Sequence, residues 1–242
     1  FSGRVLPPQF FSLGGFKIQY YGLILGVAAL AGYWLAMRRR TEYKISAEHA
    51  DSIIFVSIVV GFVGARLYHV ISEYSHYVQN PMQIFAVWNG GLGIFGAAIG
   101  GVLAIYFYGK YVLKGDSSQK GSFLDLLDWL TPSIVLGQLI GRFGNFMNYE
   151  LYGSPTNLPW KMFVPDQFRT SAVEMAQFFH PLFLYEAAGS GIILVLLLKL
   201  KLRGGRLFLT WLLLYNVMRF FLEFVRVGSV MYGGVRVNAI VA

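Results

Sequence analysis

The chain has 242 residues, 56% of them hydrophobic and 13% charged, with a formal net charge of +8 and no cysteine. Soluble domains carry about 25% charged residues, so this balance excludes an ordinary soluble fold, and the missing cysteines exclude disulfides, thiolate metal sites and a cysteine nucleophile. The positive charge sits in short clusters between apolar runs, which reads as membrane topology and anionic-lipid contact, with no nucleic-acid partner.

Runs long enough to cross a bilayer, about 20 residues each, fall near 18–37, 51–72, 90–113, 123–147, 181–200 and 206–226. The predicted class is all-α: a polytopic helical membrane protein with six spans, forming one integral membrane domain over 1–242. The first span is expected to direct targeting. Arg38, Arg39, Arg40 and Lys44 follow the first span, Lys110, Lys114 and Lys120 the third, and Lys199, Lys201, Arg203 and Arg206 the fifth. The opposite side has no Lys or Arg between Glu73 and Gly91, and only Lys161 and Arg169 between Asn148 and His180. Positive-inside bias therefore predicts an external N-terminus, three cytoplasmic basic loops and an external tail after Arg226.

Residues 73–89, with Tyr74, Tyr77, Phe85 and Trp88, are too polar to span and read as an interfacial segment. Residues 148–180, with Trp160, Phe163, Phe168, Phe178 and Phe179, read as a small external subdomain between spans four and five. The tail Val227–Ala242 reads as the approach to another helix. Gly22 and Gly26, Gly96 and Gly100, and Gly137 and Gly141 have the spacing that lets helix backbones approach. Gly90, Gly91, Gly93 and Gly96 are denser than packing requires and point to broken helix or to backbone lining a cavity.

Arg66, Arg142 and Arg219 lie inside predicted spans. A charge at membrane depth costs roughly 2.5–3.5 kcal/mol on insertion scales, so each needs a buried carboxylate or an anionic ligand. Arg219, Glu223 and Arg226 follow i, i+4, i+7 and share a predicted helix face. Two cations against one anion favour a phosphate, whose oxygens match guanidinium forks. Arg142, Asn145 and Asn148 follow i, i+3, i+6, and the asparagines suit a glycerol hydroxyl or ester carbonyl. Glu150 either pairs with Arg142 or another arginine, or belongs to the same site. Tyr21 is either an interfacial anchor or part of that site.

The segment Gly141-Arg142-Phe143-Gly144-Asn145-Phe146-Met147-Asn148-Tyr149-Glu150-Leu151-Tyr152-Gly153 resembles the signature of the prolipoprotein diacylglyceryl transferase family. In colinear order, Tyr20-Tyr21-Gly22-Leu23, Gly64-Ala65-Arg66-Leu67, Trp88-Asn89-Gly90-Gly91-Leu92, His180-Pro181 with Leu184-Tyr185-Glu186, and Arg219 through Arg226 resemble further motifs of that family. The resemblance implies transfer of a diacylglyceryl group from phosphatidylglycerol to the lipobox cysteine of a lipoprotein precursor, leaving a thioether and glycerol phosphate. It also implies a seventh span and a bacterial cell membrane as the location, with the site opening toward the outer leaflet. Carried over by position, Arg142 and Arg219 are the essential arginines, and Tyr21, Asn145, Glu150, Gly153, Glu223 and Arg226 support them. Asn148 and Arg66 complete the expected substrate-binding set.

One position departs from the pattern. Some members carry a histidine, proposed as a base, where this chain has Phe95. His69 on the second span is either a helix-contact hydrogen bonder or a substitute base. No cofactor or metal is expected, since the four histidines are scattered and no acidic motif is clustered. The rival reading is a lipid or small-anion transporter, which would also line an intramembrane site with arginines.

Overall fold

The computed structural model describes residues 9–14, 16–113, 122–170, 173, 175–227, 231–232 and 235–236. A short hairpin of β1 (Phe10–Leu13) and β2 (Phe16–Gln19) leads into α1 (Tyr20–Arg39). Next come α2 (Ala47–Ser72), the short α3 (Tyr74–Gln79), α4 (Ile94–Tyr111) and α5 (Phe123–Met147). A two-stranded pair, β3 (Met162–Phe163) and β4 (Phe178–Phe179), precedes α6 (Leu182–Lys199) and α7 (Arg206–Glu223).

The six long helices match the six expected apolar runs, and five of them are long and apolar enough to cross a membrane. The sixth, α7, carries Arg206, Arg219 and Glu223 within 18 residues and does not reach that level by composition. Large apolar side chains on the long helices, such as Leu30, Phe55, Ile71 and Ile99, are exposed. Contiguous apolar faces of this kind need a solvent other than water, and the protein is a multi-pass membrane protein.

The chain divides into two compact units. One comprises Phe1–Leu35, Leu130–Leu202 and Arg206–Ala242; the other comprises Ala36–Trp129 and Arg203–Gly205. In the second, α2 starts at Ser46, whose hydroxyl accepts from His49 N at 3.2 Å and so caps the first turn. α2 and α4 then meet backbone to backbone. A Cβ on Gly64 would stand 2.4 Å from Gly96 O, and one on Gly100 would stand 2.6 Å from Val60 O. The expected contact role of Gly96 and Gly100 is thus met on α2, whereas a Cβ on Gly22 or Gly26 would meet nothing within 4 Å among the described residues.

Residues 73–89 do not span: α3 is followed by one-turn 3-10 helices at Pro81–Phe85 and Val87–Asn89. The glycines beyond them break the helix as expected, with φ +85° at Gly90 and +78° at Gly91.

In the first unit, α6 packs on α7 around Val135, Ile193, Leu197 and Leu207. Residues 148–180 contribute Tyr149, Met162, Val164 and Phe179 to a small core shared with Phe183 of α6, against which Phe146 of α5 and Phe168 pack. Trp160 stays half exposed and donates to Tyr185 OH at 2.7 Å. In the tail, Met231–Tyr232 (β5) and Val235–Arg236 (β6) pair as antiparallel strands, where the sequence led us to expect the approach to a helix. The rest of the tail beyond Val227 lies outside the described residues, as do Lys114 and Lys120.

Candidate active site

Glu186 organises the first unit. It enters α6 one turn from the helix start and is completely buried, so its carboxyl group needs partners within the protein. Its partners come from two other helices. Arg142 Nη2 on α5 lies 2.9 Å from Glu186 Oε2 and also donates to Tyr215 OH at 3.1 Å. Arg219 Nη1 on α7 donates to Glu186 Oε1. The two arginines that sequence left as cations in search of an anion are therefore bridged by one carboxylate. Glu186 stands in the Leu184-Tyr185-Glu186 motif, which by itself implies no role for it. A carboxylate five residues into an apolar run was the signal that pointed to it.

Arg219 also reaches Glu223 Oε2 at 3.7 Å, and Arg226 Nη1 reaches the same oxygen at 3.7 Å. Arg226 gets there by a different route from the one its spacing implies. α7 ends at Glu223, so Arg226 is beyond the helix and does not share its face. A bridge with Gly153 holds it instead: Gly153 N donates to His180 O at 2.8 Å, and Ser154 N to Val225 O at 2.7 Å. A Cβ on Gly153 would stand 2.8 Å from Val225 O, which explains why a glycine is needed there. Gly153 thus acts through backbone geometry and positions Arg226.

Among the described residues, the groups joined by these ion pairs are three guanidiniums and two carboxylates, a formal excess of one positive charge. Arg226 retains 36% side-chain exposure, and it also lines a cleft of about 550 Å³ with Gln19, Asn148, Glu150, Tyr152 and Thr170. One wall is braced by Tyr152, whose hydroxyl donates to Phe168 O at 3.0 Å and accepts from Thr170 N at 2.8 Å. Tyr149 and Leu151 flank Glu150 with φ +58° and +55°, a left-handed conformation costly for non-glycine residues. Tyr149 holds its place by stacking on Phe168 at 4.9 Å, and burial pushes its hydroxyl pKa up. The strained pair turns Glu150 back toward α5, where Asn145 Nδ2 and Asn148 Nδ2 each donate to it at 3.3 Å. Among the described residues, Glu150 forms no ion pair with Arg142 or any other arginine. Tyr21 is half buried on α1, and its ring lies across Gly144, where a Cβ would come within 2.8 Å of it.

Arg66 belongs to the other unit. Its Nε donates to Ile84 O at 2.8 Å, its Nη1 to Gly90 O at 2.7 Å and Gly91 O at 2.9 Å, and its Nη2 to Gln83 O. That arrangement makes Arg66 the peg of the 83–91 loop, with its guanidinium committed to carbonyls. Gly91 must be glycine beside it, because a Cβ would fall 2.5 Å from the His69 ring and 2.7 Å from Arg66 Nη1. Phe95 is largely exposed at the start of α4, its ring 5.9 Å from that of Tyr68.

A family model described as prolipoprotein diacylglyceryl transferase matches residues 8–242. A phosphatidylglycerol–prolipoprotein diacylglyceryl transferase of Fervidobacterium nodosum is 39% identical, over 100% of this chain and 82% of its own length. The similarly named protein of Thermotoga maritima is 37% identical over 98% of this chain and 80% of its own. That of a Synechocystis species is 36% identical over 97% and 84%.

Proposed function

This chain belongs to the prolipoprotein diacylglyceryl transferase family, and from that premise we propose that it moves the diacylglyceryl group of phosphatidylglycerol onto the lipobox cysteine thiol of a lipoprotein precursor. The observation that carries the reading is the buried Arg142–Glu186–Arg219 cluster, extended by Glu223 and Arg226, in which the ion-paired groups among the described residues are three guanidiniums and two carboxylates. A phosphodiester brings one negative charge and so completes the balance.

In the step, the thiol sulfur bonds to the glyceryl carbon next to the phosphate ester. The bond between that carbon and the phosphate oxygen breaks, and its electron pair stays on the departing glycerol phosphate, which can take up the thiol proton. Arg142 and Arg219 stabilise the charge that grows on the phosphate oxygens, which suits cations already fixed in a dry site. Glu186 holds both guanidinium groups in place before substrate arrives, so little reorganisation remains for the reaction. Asn145, Asn148 and Tyr21 orient the glyceryl portion, and Glu150 fixes the two asparagine amides. Gly153 and Glu223 set Arg226, and Arg66 shapes its loop. A guanidinium near the thiol favours its thiolate.

The basic loops face the cytoplasm of a bacterial cell in this reading. The N-terminus and the 148–180 subdomain face outward, and the site opens toward the outer leaflet. The test is transfer from phosphatidylglycerol to a synthetic lipobox peptide in detergent. The peptide is expected to gain the mass of one diacylglyceryl group. A peptide of unchanged mass, with lipid merely bound or moved, contradicts the reading and returns the transporter alternative.

A further inference from the structure

Next to the Arg142–Glu186–Arg219 cluster, α5, α6 and α7 each carry one more polar side chain that the ion pairs do not use. On α5, Gln138 lies between Val135 and Arg142; on α6, Ser190 lies between Glu186 and Ile193; on α7, Trp211 lies between Leu207 and Tyr215. Each is three or four residues from both neighbours and so shares their helix face. Val135, Ile193 and Leu207 belong to one buried apolar cluster, against which Trp211 and Tyr215 also pack. Arg142, Glu186, Tyr215 and Arg219 are bonded together. Gln138, Ser190 and Trp211 therefore occupy the layer between a charged layer and an apolar one. α5 meets α6 at this level, where a Cβ on Gly191 would lie 3.3 Å from Leu139 Cδ1.

This layer is polar and unsatisfied. Gln138 Oε1, Ser190 Oγ and Trp211 Nε1 are buried and have no hydrogen-bond partner among the described residues, and Ser190 is 1% exposed. A helical serine commonly bonds back to the carbonyl four residues earlier, and Ser190 does not. Native proteins leave few buried polar groups without partners, so three from three helices in one layer mark a place for a ligand. The chemistry is specific. Gln138 Oε1 only accepts, Trp211 Nε1 only donates, and a serine hydroxyl does both. Together they complement an O–H group, which gives one proton and takes another. They suit an ammonium poorly, since it has no lone pair for the indole.

We propose that Gln138, Ser190 and Trp211 bind the hydroxyls of the lipid headgroup while Arg142 and Arg219 hold its phosphate, so that this layer selects a glycerol headgroup. The proposal rests on the diacylglyceryl-transfer reading. Water in the same layer is the competing occupant with the same chemistry.

The experiment compares two donors, phosphatidylglycerol and phosphatidylpropanol, in transfer to a lipobox peptide by the 242-residue chain. The second lipid keeps the phosphodiester charge and lacks both headgroup hydroxyls. The intact chain is expected to favour phosphatidylglycerol in kcat/KM by about tenfold or more, the scale of two neutral hydrogen bonds. In Gln138→Leu, Trp211→Phe and Ser190→Ala the ratio is expected to fall toward one, with the rate on phosphatidylpropanol retained. That retained rate also reports a folded enzyme, and Ser190→Ala, which deletes a single oxygen, serves if a larger change fails to fold. A ratio unchanged in the variants overturns the proposal and assigns the layer to water. A ratio near one in the intact chain overturns it as well. No transfer from either lipid by the intact chain instead defeats the transferase reading, and this proposal with it.

Discussion

Glu186 on α6 accepts from Arg219 at one carboxylate oxygen and faces Arg142 at 2.9 Å with the other, so a single buried side chain joins three helices. The cations at the centre of the site are held in a fixed geometry before any lipid binds.

Removing one partner of a buried ion pair costs about 3–5 kcal/mol. Glu186→Gln is therefore expected to lower the thermal unfolding midpoint in detergent clearly. Glu150→Gln is expected to change it little, because Glu150 is exposed and held by two asparagine amides. Equal midpoints for the two variants would contradict the central role of Glu186.

Arg142→Lys and Arg219→Lys keep the charge and lose the planar fork. Each variant is expected to remain inserted and folded and to lose transfer by about 10²–10³-fold, the scale of removing one preorganised donor. Near-normal rates would leave the phosphate clamp without support.

Gly153→Ala places a methyl 2.8 Å from Val225 O and must displace the segment that carries Arg226. Transfer is expected to fall at least about tenfold, on the scale of one lost charge-assisted hydrogen bond, with helical content by circular dichroism unchanged. Gly22→Ala, which meets open space, is the control and keeps its rate. The two variants behaving alike would dissociate Gly153 from Arg226.

The chain has no native cysteine, so single introduced thiols report topology cleanly. Asn157→Cys is expected to react with impermeant reagents added outside intact cells, and Thr41→Cys only after the membrane is opened. The reverse pattern would invert the proposed orientation and move the 148–180 subdomain to the cytoplasm. The equivalent position in the second basic loop, Ser117, lies outside the described residues.

Phe95 cannot accept a proton. Phe95→Leu is expected to retain most activity, and Phe95→His to gain no more than a few-fold. A gain of about 10²–10⁴-fold, the usual worth of a placed general base, would show that the site lacks a base it can use. A rate limb near pH 6.5, the ordinary histidine range, that vanishes in His69→Gln would instead assign proton transfer to His69.

The helices were legible because apolar runs of membrane length have few alternatives. The cationic positions were legible too, since charge inside such a run demands an explanation. What could not be read was pairing. Spacing put Arg226 on the Glu223 face of one helix, whereas the helix stops at Glu223 and a bridge from Gly153, remote in sequence, supplies the proximity. Glu186 stood in plain view on its span, yet its two partners lie 44 residues before it and 33 after, and only tertiary structure brings them together. Arg66 looked like a ligand-holding arginine for the same reason. The carbonyls that occupy it come from a loop whose course depends on two positive-φ glycines.

The shared carboxylate also bears on how the protein is made. α5, α6 and α7 emerge from the ribosome one after another, and they bring the buried-cluster charges in turn: Arg142 on α5, Glu186 on α6, and Arg219 with Glu223 on α7. Alone in lipid, each charge carries a penalty of roughly 2.5–3.5 kcal/mol, and α7 has the least apolar sequence of the long helices with which to offset it. Partitioning of α7 into the bilayer is therefore expected to follow the arrival of α6, whose Glu186 adds to the compensation that Glu223 gives Arg219 from α7 itself.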